Sequence, residues 1–136
     1  MAAISQTPSS IAIGADAQIS KVVAGEAITQ GMPVYLKTSD GKYWKADADT
    51  LAESLVAGIA VTPAGAADAS FVLQRSGLIN LGATLTVGLE YYLHTTAGAI
   101  GVIGELSTGD FPCRLGFATT AAWLQLAISA AGVAKP

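Results

Sequence analysis

One histidine, one cysteine and a short acidic run are the side chains of this 136-residue sequence that could carry chemistry. His94 directly follows Tyr92-Leu93, a strand-end position that is expected at the surface. Cys113 lies in an apolar setting with no histidine motif around it, which predicts packing as a buried free thiol. Asp47, Asp49 and Glu53 could gather a cation loosely, but they lack the Asp-x-Asp-x-Asp-Gly loop of a calcium site. No G-x-x-x-x-G-K-[ST] is present, and the glycines of "GLINLGATLTVG" stand in the wrong order for a phosphate cradle. Trp44, Trp123, Tyr35, Tyr91 and Tyr92 could line a sugar site, although aromatic residues in strands more often serve a core or an interface. The expectation is a non-enzyme with no catalytic residue, no metal ligand and no cofactor.

Composition points to contact surfaces instead. Charged residues make up 12% of the chain, against about 25% in an ordinary soluble domain. A surface so poor in charge is hard to keep monomeric, which predicts that partner chains cover much of it. The net charge of −3 and the scattered Lys and Arg argue against nucleic acid. Lys42 and Lys45 do flank Tyr43 and Trp44, a weak stacking signal. "MAAISQTPSS" has neither the basic start nor the apolar run of a signal peptide. The single cysteine rules out an internal disulfide and is compatible with synthesis in a reducing compartment. The uncharged run Leu115 to Ala134 is long enough to span a bilayer, but it is rich in Ala, Gly, Thr and Ser with Gln125 in its middle, so no membrane span is expected.

The strongest signal is a repeat. "GEAITQGMPVYLKTSDGKY" aligns without a gap on "GATLTVGLEYYLHTTAGAI": Gly25 on Gly82, Thr29 on Thr86, Gly31 on Gly88, Tyr35 on Tyr92, Leu36 on Leu93 and Gly41 on Gly98. After a one-residue adjustment, Ala57 to Thr62 lies over Leu115 to Thr120, and "FVL" at 71–73 resembles "WLQL" at 123–126. The copies run approximately over 24–75 and 81–128.

Each copy reads as β structure. Met32, Val34 and Leu36 alternate with Pro33, Tyr35 and Lys37, which predicts a half-buried strand with the first three on its inner face. Asp40-Gly41 marks a hairpin, and "TTAGA" is its weaker counterpart. "SLVAGIAV" has the length and apolarity of a central strand buried on both faces. Gly58 and Gly116 predict a bulge or a close backbone approach. "DADTLAES" reads as a short helical turn or a loop. Residues 119–132 could form a helix, but the repeat favours a strand, with Leu124, Leu126 and Ile128 on one face. The sequence therefore predicts an all-β protein, a small sandwich or partly open barrel of two related lobes over 18–136. Residues 1–17 form an N-terminal arm, either a frayed end or a strand that pairs with a neighbouring chain. Candidate interface residues are Ile4, Ile11 and Ile13 on the arm, with Tyr43 and Trp44 on the domain.

The order G-x-x-[IL]-T-x-G, Tyr-Leu strand, D-G-K turn with "KADAD", "VAGIAV" and "FVLQRSGLI" resembles the small capsid cement, or decoration, proteins of tailed bacteriophages over roughly residues 20–130. The resemblance implies a structural role on the capsid exterior of a virion assembled in the host cytoplasm. It implies homotrimers that clamp the major capsid protein of the head. The competing readings are another virion part (head fibre, tail or baseplate subunit) and a carbohydrate-binding β module that uses Tyr43 and Trp44.

Overall fold

The computed structural model describes residues 4 and 6–136. The chain is all-β, with ten antiparallel-paired strands in one curled sheet that forms a half-barrel. They are β1 (Ile11–Ile13), β2 (Gln18–Val23), β3 (Pro33–Lys37), β4 (Lys42–Lys45), β5 (Val56–Ala60), β6 (Ser70–Leu81), β7 (Glu90–Leu93), β8 (Ile100–Gly101), β9 (Cys113–Ala118) and β10 (Trp123–Ala130). Along the main path the order is β4-β3-β5-β6-β10-β9-β7-β8, so the second half mirrors the first about the β6–β10 pair.

That mirror order is the sequence repeat in three dimensions. Each lobe uses five strand segments: β2, β3, β4, β5 and the first half of β6, then the second half of β6, β7, β8, β9 and β10. The twelve-residue β6 thus closes one lobe and opens the next. Equivalent backbone bonds recur. Gly31 N–H donates to Ala60 O at 2.7 Å, and Gly88 N–H donates to Ala118 O at 2.8 Å. Ala60 N–H donates to Met32 O at 2.9 Å, and Ala118 N–H donates to Leu89 O at 3.1 Å. Gly31 and Gly88 hold matching left-handed φ values of 88° and 83°, which only glycine adopts without strain.

The bulge repeats as well. Val34 faces Gly58 and the next residue, Tyr35, faces Val56, so Ala57 is unpaired. Tyr91 faces Gly116 and Tyr92 faces Arg114, so Leu115 is unpaired. A Cβ on Gly58 would come within 2.5 Å of Gln74 O, and one on Gly116 within 2.0 Å of Gln125 O. Both glycines are therefore close approaches beside a bulge, as the sequence suggested.

Three apolar clusters fill the molecule. Ala24, Ile28, Val34, Ala60, Ala64, Phe71 and Leu73 fill the first lobe. Ile79, Leu81, Leu85, Tyr91, Ile100, Leu115, Leu124 and Leu126 fill the second, joined by Ile59 and Val61 from the first. Tyr35, Ala46, Ala48, Leu93, Leu106 and Cys113 form a third cluster between the lobes. Ile59 and Ala60 fall in different clusters, so β5 is buried on both faces as expected.

Two expectations need correction. Leu36 is 43% exposed, whereas Tyr35 is 7% exposed, so the inner-face set was not Met32, Val34 and Leu36. Val34 packs inside the first lobe and Tyr35 packs on the opposite side of β3, between the lobes. The strand is covered on both faces, and Leu36 lies near its end, beyond the first-lobe cluster. His94, expected at the surface, is 8% exposed because the 102–106 turn folds over it.

The segment 119–132 resolves as expected from the repeat: β10 is a strand, with Leu124 and Leu126 in the second-lobe core and Ile128 packed against it. The uncharged run from Leu115 is thus parts of two strands. No helix among the described residues is long and apolar enough to cross a membrane. "DADTLAES" ends in a single 3-10 turn, Ala52–Ser54.

Candidate interaction surface

The residue types that could do chemistry are not brought together. His94 and Cys113 both border the inter-lobe cluster, but each is engaged locally. His94 Nδ1 accepts from Thr96 N–H at 3.1 Å, which leaves the ring proton on Nε2, facing Glu105. Glu105 Oε1 accepts from Val102 N–H at 2.8 Å. Burial pushes the Cys113 thiol pKa up, against the nucleophilic thiolate form. Asp47 accepts from Asp49 N–H at 3.0 Å, and the Thr50 hydroxyl donates to Glu53 at 2.8 Å, so the acidic run caps its own turn. Desolvation raises the Asp47 pKa. No group of three or more His, Cys, Asp or Glu side chains with metal-binding placement occurs among the described residues.

Tyr43 and Trp44 are tied within the first lobe. Trp44 Nε1–H donates to Asp40 at 3.0 Å, and the Lys37 ammonium sits 4.4 Å from the indole centroid. A Cβ on Gly25 would lie 2.2 Å from the indole, so backbone crowds its edge. Arg75 donates to the Tyr43 hydroxyl at 3.3 Å, to Ala57 O at 3.3 Å and to Ser20 Oγ at 3.1 Å, which clamps β2, β4, β5 and β6. A sugar-stacking platform needs an open aromatic face, and this ring already holds a cation.

The arm also lies on its own domain. Ile4 packs on the second-lobe core and Ile11 is part of it, while Ile13 is 46% exposed. β1 pairs with residues 79–81 of β6, and β2 continues along β6 from Ser76 to Ser70.

What the outer surface offers is apolar. Val87, Leu89 and Phe117 are exposed by 63%, 40% and 40%. They are neighbours where β7 begins beside β9, since Ala118 N–H donates to Leu89 O and Phe117 faces Glu90. On the other lobe, Tyr35, Leu36, Ala52 and Leu55 line an open groove of about 360 Å³. Leu36, Leu51 and Leu55 are exposed there. Neither patch was found from the sequence, because a period-2 pattern does not say which apolar face a neighbouring strand will cover. The Phe117 equivalent in the first copy, Ile59, is fully buried.

No protein-family model matches the chain, and no curated protein is significantly similar to it. The fold and these surfaces are the basis for a functional reading.

Proposed function

We propose that this chain is a structural virion protein that binds the outer surface of a tailed-phage capsid and cements the assembled head. The observation that carries this reading is the surface: large apolar side chains stand exposed on both lobes of a chain with half the usual charge. Such a surface gains by contact with other polypeptides. A clamp of this kind works by mass action, because it binds the assembled shell better than free subunits. It needs broad, shape-matched, weakly charged contact and no reactive group. Two docked lobes supply two such faces at a fixed separation, which suits bridging adjacent major-capsid subunits, with homotrimers at threefold positions.

The test is to add the purified chain to expanded, undecorated heads of the phage that encodes it and image the particles by cryo-electron microscopy. Symmetric extra density of trimeric outline on the outer surface is expected. Bare heads at saturating protein would overturn the reading.

A further inference from the structure

The two lobes close their seams differently. In the first, the end of β2 meets β4 directly: Ala24 bridges Tyr43, and Gly25 N–H donates to Tyr43 O at 2.8 Å. The repeat places Gly82 and Ile100 at the equivalent positions of the second lobe. There the direct bond is replaced. Ile100 O accepts from Ile4 N–H at 2.9 Å, and Gly82 O accepts from Thr7 N–H at 2.7 Å. Gly82 N–H turns instead to the Asn80 side chain at 2.9 Å. The N-terminal arm thus supplies backbone bonds in a seam that the sister lobe closes directly.

The seam is shaped for this guest. A Cβ on Gly82 would lie 2.4 Å from Thr7 O, and a Cβ on Gly31 would lie 2.7 Å from Gln6 Nε2 and 2.9 Å from Ile11 Cδ1. At Gly88, the repeat partner of Gly31, the same Cβ would meet nothing within 4 Å. Gln6 Nε2 donates to Gly31 O at 3.1 Å and to Leu81 O at 3.2 Å, so one arm side chain joins both lobes. The seam reads the arm through main-chain bonds, one amide and two isoleucines.

Between β1 and β2 the tether stays on β6 as far as Ala15: Gly14 N–H donates to Leu78 O at 2.8 Å, and Ala15 O accepts from Leu78 N–H at 3.0 Å. The chain then turns at Asp16, which holds a left-handed φ of 59° and packs so closely on β6 that a Cβ on Gly77 would lie 2.5 Å from Asp16 O. Straightening the tether would release that strain.

We propose that the second-lobe seam is a strand-acceptor site and that, in the assembled protein, the N-terminal arm of a second copy of this chain fills it by exchange. The second copy is the occupant because its arm carries the same Ile4, Gln6, Thr7 and Ile11 that the seam fits. Only the tether need change course. The inference concerns the purified chain in solution and does not depend on capsid binding.

Ala12 and Asn80 are direct partners across β1 and β6. In a Cys113→Ala background, the single variants Ala12→Cys and Asn80→Cys are mixed, allowed to exchange and oxidised. The exchange predicts a disulfide-linked dimer containing one of each on a non-reducing gel. The doubly substituted chain is predicted to give linked oligomers. Intrachain-linked monomer alone, at every protein concentration, would overturn it. A measurement on the unaltered chain guards against a folding defect: excess synthetic peptide of residues 4–14 should lower the native mass of the oligomer towards that of one chain. An unchanged mass would also overturn the proposal.

Discussion

His94 Nε2 stands 3.5 Å from Glu105 Oε2 inside the second lobe, and neither atom has a hydrogen-bond partner among the described residues. The pair sits at a structural junction. His94 O accepts from Ala48 N–H at 3.2 Å, and Gly98 N–H, in the same turn, donates to Ala46 O at 2.8 Å. These bonds dock the segment after β4 onto the second lobe. Replacing Glu105 by Ala removes the acceptor of the Val102 N–H and the carboxylate that faces the buried His94 ring. We expect a loss of about 1–3 kcal/mol in chemical denaturation, with Glu105→Gln milder because it keeps an acceptor. Equal effects of the two substitutions would show that a neutral acceptor of the same size cannot replace the carboxylate, and would contradict this expectation.

The repeated glycines at the bulges give a second expectation. Gly116→Ala should destabilise by about 3 kcal/mol or more, because the nearest obstacle to a methyl group is the Gln125 carbonyl, a backbone atom of a central strand. Gly41→Ala meets no neighbour within 4 Å but holds a φ of 70°, so it should cost about 1 kcal/mol. Thermal denaturation of the two variants should rank them in that order.

Cys113 should be inert in the folded chain. Its thiol is fully buried beside Leu93 and Leu106, and burial raises its pKa. A thiol-reactive dye should label it only as fast as the lobes open, and at once in denaturant. Cys113→Ser should cost about 1–3 kcal/mol by placing a hydroxyl in that apolar site, measured against Cys113→Ala as the reference.

Asp47 sets a pH dependence. Desolvation raises its folded-state pKa above the ordinary carboxylate value, so the folded chain holds the proton more tightly than the unfolded one. The contribution of this group therefore weakens folding as pH rises from the ordinary value through the raised one, and is restored on acidification. Asp47→Asn keeps the acceptor for Asp49 N–H and removes the charge. It should stabilise slightly at neutral pH, within about 0.5 kcal/mol because the side chain is largely solvent-screened. The difference from the parent should vanish below the ordinary carboxylate range in a pH series of melts.

The duplicated frame was legible in the sequence because its signals are local. Paired glycines, the Asp-Gly hairpin and the apolar run at 55–61 each constrain their own neighbourhood, and the repeat decided that residues 123–130 are a strand. What escaped depends on long-range packing. Nothing near His94 announces that Glu105 will fold back over it. Leu36 and Tyr35 exchange their expected exposure because the second lobe covers the outer side of β3. The sharing of β6 between lobes follows from its twelve-residue length, which no local signal marks because the strand runs on through Gly77. The arm looked like a loose end or a strand for a neighbour. Its own domain contains the seam, formed by residues about 70 or more positions away.

The central claim is that other polypeptides cover the apolar outer faces of the two lobes. Co-sedimentation with expanded, undecorated heads, followed across a range of chain concentrations, tests it most directly. The account predicts saturable binding at a fixed copy number per head, weakened by Val87→Asp or Phe117→Asp if the second lobe provides the contact and by Leu36→Asp or Leu55→Asp if the first does. A chain that stays in the supernatant as a soluble monomer at every concentration, with or without heads, would contradict it.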